Sequence, residues 1–567
     1  MSGALAFGSP ISLYTDAVTL LCVPILVHDV NVALAEARSA RIAGADLVEF
    51  RVDPLFHGEG DEEGLASITR LVDESPLACI VTCRLAAEGG EYEGEEAARV
   101  VLWEHLGTAQ GTRLSPKHPP RYIDVELATY QRSANLRQKI ALAVDHEAQR
   151  RDLHTSLILS AHDFNSRPLN LLRLVAEMDA APISRVNKIA WRARSIRDNI
   201  EAFELLQHRS RPTIAVCMGE FGLLSRILAP KFGGFLTFAS LRDTSTTAPG
   251  QPTIADLLGL YRFRSINPET RVFGVIGWPV AQSRSPHLHN AGFEAINFNG
   301  VYVPMPVPQE WEHFKSTLHA LLDFKALDFR GASVTIPHKE HLVRFARGDS
   351  SRQWTIDPLA ARCGAANTIV VNDDASCRAL NTDATAASET LRESLGDDWA
   401  SHRVAILGAG GVARAVAAAV VEAGGRVAVH ARNRDRADRL VADLSDGGVS
   451  RGALTVGDWG ALADLGASVV VNCTPIGMSG RPDSAESPLS LQELRKLGAV
   501  ALIFDTVYNP PETPLLRQAR DLGLKTAGGA EMFVAQAAAQ FEAWTGRPAP
   551  KALFRSVLLE TLATDAT

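Results

Sequence analysis

Short apolar runs recur along the first half of the chain, separated by longer stretches whose apolar positions return every three to four residues. The runs are LCVPILV (21–27), DLVEFRV (46–52), ACIVTCR (78–84), YIDVEL (122–127), LILSAH (157–162), VNKIAW (186–191), TIAVCM (213–218) and GFLTFAS (234–240). Each has the length and continuous apolar character of a strand buried on both faces. Stretches such as VNVALAEARSARIAG and NLRQKIALAVDHEAQ carry the period of amphipathic helices. Eight such units within about 240 residues predict a (β/α)8 barrel over 21–258. An open doubly wound sheet is the competing arrangement, but it seldom needs eight regular units.

A Pro-, Gly- and Thr-rich stretch, DTSTTAPGQPT (243–253), precedes the last helix, and 259–270 reads as a linker. The strand–helix pattern restarts at RVFGVIGWPV, giving a second α/β domain over 271–390. Near 403 comes RVAILGAGGVARAVAAAVVEAGGRVAVHAR, a strand, a glycine turn, a helix and a second strand. That is one βαβ unit of a dinucleotide-binding half, placed here over 391–535. Residues 536–567 are expected as helices packing back on the 271–390 domain, and residues 1–20 as a short leader lacking the basic region of a signal peptide.

Length and charge narrow the class. At 567 residues the chain exceeds what one core serves. A formal net charge of −8 argues against nucleic acid or an anionic membrane as a partner. Seven cysteines are scattered without a CxxC pair, which fits a reducing compartment and points to no metal site. No run approaches the ~20 apolar residues of a membrane span. A cytoplasmic enzyme acting on small molecules is expected, or a plastid one if the source is a plant.

In a barrel, polar residues at the carboxyl ends of the strands face the active site. Those ends supply Glu49 and Arg51, Arg84, Glu126, His162, Lys188, Met218 and Ser240. A lysine inside an apolar strand either extends its charge to the strand end or serves as an amine nucleophile. Attack on a carbonyl needs a neutral amine, a form that apolar burial and neighbouring cations favour. Ile189 and Trp191 lie beside Lys188 in sequence, with Arg185, Arg192 and Arg194 nearby; the sequence leaves open which of them approach the amine. His162 supplies a proton-transfer group that works near neutral pH. Arginines on the rim suit an anionic substrate, a carboxylate being the natural match.

Together with VEFRVD, TCRLAAEGGEYEG, LSAHDF, MGEFGLLSRI and TTAPGQPT, these strings resemble type I 3-dehydroquinate dehydratase over roughly 20–255. The resemblance implies Lys188 as the Schiff-base residue and His162 as general acid/base, with Glu88 orienting His162 or the substrate. It also implies Glu49, Arg51 and Arg84 on substrate hydroxyls, Arg226 on the carboxylate, and Thr247 and Gln251 on the loop side. Thr247 stands where the family usually has serine.

In the second half GAGGVA (408–413) aims a helix N-terminus at a pyrophosphate, and the following strand ends in Arg432, Asn433 and Arg434 rather than an acidic residue. Positive charge there suits a 2′-phosphate, so NADP is favoured over NAD. Lys339 and Asp383, paired across a cleft, could pass a proton to a ketone oxygen. QSRSPHLHN, SVTIPHKE, GAANTI, NTDATA, VNCTPIGM, FDTVYNPPETPLL and GGAEMFVAQAAAQFEAW together resemble shikimate dehydrogenase over roughly 271–560. That resemblance implies Lys339 and Asp383 as catalytic, and Ser283, Ser285, Thr335, Asn367, Tyr508 and Gln536 as substrate-binding. It implies Gly408, Gly410, Gly411, Val412, Ala413, Arg432, Asn433, Thr474 and Met478 at the cofactor. The order of the two halves is that of the fused enzymes best known from plants. A quinate-oxidising second half, or a non-catalytic regulator built on the same domains, are the alternatives.

Overall fold

The computed structural model describes residues 18–107, 119–145, 155–242, 250–446, 452–459, 466–497 and 502–564. It divides into two compact units, Met1–Thr270 and Arg271–Thr567. Thr247 and most of the leader lie outside the described residues.

The first unit is built on β1 (Leu20–Leu26), β2 (Leu47–Arg51), β3 (Ala78–Thr82), β4 (Tyr122–Glu126), β5 (Ser156–Asp163), β6 (Ser184–Arg192), β7 (Thr213–Met218) and β8 (Leu236–Phe238). All eight apolar runs thus become strands. They hydrogen-bond in parallel in the order β7-β6-β5-β4-β3-β2-β1-β8. Phe235 N–H donates to Thr213 O at 2.9 Å across the remaining seam, giving a nearly closed barrel.

Because strand side chains alternate, each strand sends every second residue inward. The amino-terminal part of the interior is filled by Cys22, Leu47, Ile80, Tyr122, Ile158, Val186, Ile214 and Leu236. Two residues further along the strands this face turns polar, with Glu49, Thr82, Asp124, Ser160 and Lys188. Two further again stand Arg51, Arg84, Glu126 and His162. The lower part of the barrel is thus a packed plug, and chemistry is confined to two polar tiers above it.

Residues 259–270, expected as a linker, belong to this first unit. Phe263 and Ile266 are buried, and the Lys231 ammonium donates to Pro268 O (2.7 Å) and Thr270 O (2.8 Å).

The second unit holds two sheets. The first comprises β9 (Arg271–Gly277), β10 (Gly300–Pro306), β11 (Phe329–Val334), β12 (Trp354–Ile356), β13 (Thr368–Val371) and β14 (Cys377–Leu380), in the order β10-β9-β11-β13-β14-β12. The second comprises β15 (Arg403–Leu407), β16 (Arg426–His430), β17 (Leu454–Val456), β18 (Val469–Asn472), β19 (Leu502–Asp505) and β20 (Lys525–Ala527). It is fully parallel in the order β17-β16-β15-β18-β19-β20, the doubly wound dinucleotide-binding arrangement. The helix Gly529–Thr545 returns to the first sheet: Val534, Phe541 and Trp544 share a core with Phe273 and Tyr302, and Trp544 Nε1–H donates to Ile369 O at 2.8 Å. The expected boundary at 536 falls inside this helix, whose apolar face joins the first sheet from Val534 onward.

Candidate active sites

Lys188 sits in the lower polar tier, only 6% exposed, with Nζ 2.8 Å from Asp124 Oδ2 and 3.2 Å from Glu49 Oε1. Its ammonium lies 4.7 Å from the centre of the Phe238 ring. Ile189 and Trp191 fall on the opposite face of β6 by strand alternation, and Arg185, Arg192 and Arg194 are exposed. The charges around the amine are therefore the two carboxylates and, beyond Asp124, Arg84.

Arg84 is 2% exposed. Its Nη2 donates to Asp124 Oδ1 (2.7 Å) and its Nη1 to Ser160 Oγ (2.8 Å), with Glu126 Oε1 3.2 Å from Nη1. Expected on substrate hydroxyls, it lies among protein carboxylates. Burial alone would raise the Asp124 carboxyl, but Arg84 and then Lys188 outweigh it and hold the group well below the usual carboxylate range. Arg51 is likewise braced, forked onto Asp53 through Nε and Nη2 at 2.9 Å each.

His162 Nδ1 and Glu88 Oε2 are hydrogen-bonded at 3.0 Å. Burial, with Arg84 and Lys188 nearby, pushes the imidazole well below its ordinary value. Burial also pushes the Glu88 carboxyl up to about 7, against the pull of Arg84. The ring is thus neutral and able to accept a proton, beside a carboxyl that titrates near neutrality. Arg226 is 2% exposed and donates only weakly, from Nη1 to Phe238 O at 3.4 Å. Its Nε has no partner among the described residues. A buried guanidinium that meets no carboxylate among the described residues is a ready receptor for an incoming one. Gln251 is buried behind the mouth, after Gly250 (φ +71°) turns the chain past Gly219.

The second unit encloses a cleft of about 1170 Å³, lined by residues from both of its sheets. Lys339 opens the helix Lys339–Gly348, and Asp383 lies in the first turn of the helix Thr382–Leu395, capped by Asn381. Lys339 Nζ is 2.6 Å from Asp383 Oδ2 at the cleft. Asn367 Oδ1 accepts from Thr382 N–H at 2.8 Å, which fixes the carboxamide at the cleft wall. Ser283, Ser285, Thr335, Tyr508 and Gln536 also line it, with Tyr508 stacked on Phe533 at 4.3 Å.

One turn beyond Gln536, Gln540 is wholly buried and joins two strands: its Oε1 accepts from Ser333 Oγ (2.8 Å) and its Nε2 donates to Thr368 Oγ1 (3.0 Å). Tyr302 Oη donates to Ser333 Oγ at 2.7 Å and completes this row. The sequence reading missed Gln540, Asp124 and Ser160. Asp124 and Ser160 were findable, lying one alternation step inside the strand ends.

The fit to a dinucleotide rests on geometry. Gly408 has φ +107°, and a Cβ there would lie 3.0 Å from Cys473 O, so only glycine keeps this wall of the cleft open. Gly410 caps the helix Gly411–Glu422; Gly410, Gly411 and Val412 line the cleft at its N-terminus, and Ala413 packs beneath. Thr474 N–H and Oγ1 both donate to Asn472 Oδ1 (3.0 and 2.6 Å), and Met478 lines the same side. Arg432, Asn433, Arg436 and Arg439 form a basic end to the cleft; Arg434, which the sequence also offered there, does not line it, while Arg436 and Arg439 do. These residues fit a 2′-phosphorylated dinucleotide.

An imine-capable lysine in a barrel mouth and a Lys–Asp pair beside a dinucleotide cleft define a two-site enzyme, a carbonyl lyase joined to a dinucleotide-linked oxidoreductase. The family model for type I 3-dehydroquinase matches residues 21–268, that for the shikimate dehydrogenase substrate-binding domain 275–369, and that for the shikimate 5′-dehydrogenase C-terminal domain 529–559. The chain is 36% identical to the chloroplastic bifunctional 3-dehydroquinate dehydratase/shikimate dehydrogenase of Arabidopsis thaliana, over 95% of this chain and 84% of that one. Shikimate dehydrogenases (NADP(+)) of Paramagnetospirillum magneticum and Rhodospirillum rubrum match at 39% and 41% identity, over 49% and 50% of this chain and 94% of each relative. The chain belongs to the bifunctional 3-dehydroquinate dehydratase/shikimate dehydrogenase family.

Proposed function

We infer that the barrel dehydrates 3-dehydroquinate to 3-dehydroshikimate and that the second unit reduces this ketone to shikimate with NADPH. The observation that carries the first half is the buried amine of Lys188 two residues below the His162–Glu88 level of the mouth. Lys188 attacks the substrate ketone while Arg226 receives the carboxylate. Imine formation makes the adjacent C–H acidic, neutral His162 takes that proton, and the neighbouring hydroxyl leaves as water after His162 returns it. Glu88 holds the imidazole ring in the orientation this needs.

In the second site Lys339 and Asp383 hold the proton that the ketone oxygen takes up as the carbonyl is reduced. Ser283, Ser285, Thr335, Asn367, Gln536 and Tyr508 hold the substrate's hydroxyls and carboxylate. Gly408, Gly410 and Gly411 approach the pyrophosphate, and Arg432 and Asn433 hold the 2′-phosphate. When bound, NADPH supplies the hydride. Small molecules are the partners on this reading. No helix among the described residues is long and apolar enough to cross a membrane; a cytoplasmic location, or a plastid one, is part of the proposal.

The test adds 3-dehydroquinate and borohydride to the full chain and maps the modified lysine by mass spectrometry. Modification at Lys188, with loss of dehydration and retention of shikimate oxidation, is expected. Modification at another lysine overturns the assignment. A higher kcat/KM for quinate than for shikimate would make the second unit a quinate dehydrogenase instead.

A further inference from the structure

The charges beneath the barrel mouth do not form isolated pairs. Arg99, wholly buried, donates from Nη1 to both Glu126 oxygens (3.0 and 2.8 Å) and to Cys83 O (2.6 Å), and from Nη2 to Thr129 Oγ1 (2.8 Å). Glu126 faces Arg84 at 3.2 Å, Arg84 holds Asp124 at 2.7 Å, Asp124 faces Lys188 at 2.8 Å, and Lys188 faces Glu49 at 3.2 Å. Cation and anion alternate along the whole row, and every member is buried.

We propose that Asp124 is the counterion of the iminium formed at Lys188, and that Glu126 and Arg99 are positioning residues that hold Arg84 against it. The inference rests on the imine reading above. As Lys188 Nζ bonds to the substrate carbon, the carbon–oxygen bond breaks and the oxygen leaves as water. Two protons of the starting ammonium depart with that water and the third stays on nitrogen. The charge therefore ends on the atom where it began, still beside Asp124. Only the protonated imine withdraws electrons strongly from the neighbouring C–H, so a carboxylate that cannot take that proton keeps the electron sink charged.

Three fixed donors prevent Asp124 from becoming that acceptor. Arg84 Nη2 and Ser160 Oγ (2.6 Å) donate to Oδ1, and Lys188 donates to Oδ2. Its carboxyl is correspondingly held far below the ordinary range. Glu126 neutralises the second face of Arg84, and without it Arg84 would be drawn toward Glu88, whose Oε2 is 4.0 Å from Nη1.

Cyanoborohydride, which reduces iminium ions in preference to neutral imines and ketones, separates this from a packing role. The full chain is incubated with 3-dehydroquinate and cyanoborohydride, and the rate of Lys188 modification is followed from about pH 5 to 9. Asp124→Asn is expected to trap on the order of 10²-fold more slowly than wild type at neutral pH, with recovery as pH falls and the imine is protonated from solvent. Glu126→Gln should shift the profile in the same direction by less, and Glu126→Asp should restore part of it. If Asp124→Asn loses its cooperative unfolding transition, Ser160→Ala, which removes one donor to Asp124, carries the test with a smaller acid shift. An unchanged pH profile in Asp124→Asn, or in Ser160→Ala where that variant carries the test, overturns the counterion. Absence of Lys188 trapping in wild type would instead overturn the imine reading itself.

Discussion

Replacing Arg226 by methionine should stabilise the protein while disabling its first reaction. The side chain is 2% exposed, among the described residues no carboxylate pairs with it, and its Nε is unpartnered. Burial lowers the guanidinium from its ordinary value to about 10. At roughly 1.36 kcal/mol per pH unit, holding that charge inside the fold costs about 3 kcal/mol. The sign is fixed by the proton being bound less tightly in the folded chain than in the unfolded one. The penalty is therefore full at every pH below about 10 and fades only above it. Methionine keeps much of the length and removes the charge, so a gain of about 2–3 kcal/mol remains after some loss of packing. For a unit of this size that raises the barrel transition by roughly 4–12 °C.

The same change should raise KM for 3-dehydroquinate by about 10- to 10²-fold, the value of a charge-assisted contact to a carboxylate. Thermal unfolding followed by tryptophan fluorescence, and enone absorbance of the product, give the two readouts on the full chain. Substrate analogues bearing a carboxylate should raise the wild-type transition and leave the variant's unmoved. A methionine variant destabilised by more than about 1 kcal/mol, or one with unchanged KM, refutes the reasoning.

Three further outcomes follow from the geometry. Glu88 takes up its proton at about 7 in the fold and near 4.5 when unfolded, so rising pH across that window should weaken the barrel by at most about 3 kcal/mol. Glu88→Gln should flatten that slope in urea titrations and lower kcat for dehydration. Lys339→Met or Asp383→Asn should reduce kcat for shikimate oxidation by about 10²–10⁴-fold, leaving dehydration of 3-dehydroquinate unchanged; a parallel loss of both activities would count against separate sites. Arg432→Ser should raise KM for NADPH by about tenfold or more with little effect on NADH, and equal effects on both would remove its role at the 2′-phosphate.

The barrel was legible because parallel strands buried on both faces leave continuous apolar runs, and all eight were visible. The candidate site was legible where polar residues stand toward the carboxyl ends of strands, as His162 and Lys188 do. It was obscured where depth matters: Asp124 and Glu126 alternate onto one face of β4, and although register sets Glu126 against Ser160 and Ser160 against Lys188, it is Asp124 whose carboxylate meets the amine. Arg84 sits at a strand end as its neighbours do, yet the two carboxylates of β4, Asp124 and Glu126, turn it inward. Gln540 could not be distinguished from Gln536 by spacing alone, since both lie on one face of the helix Gly529–Thr545 and only the first sheet's position separates them.

The alternating row from Arg99 to Glu49 holds three cations and three anions. Deleting any one leaves a buried charge without its counter-charge, so single-substitution scans will score all six as indispensable although few meet the substrate. Paired replacements that remove a cation and its anion together, such as Arg99→Met with Glu126→Leu, should be tolerated far better than either alone. Homologous sequences would then change these positions in concert, and a lineage that lost one member would be constrained in which neighbour it could lose next.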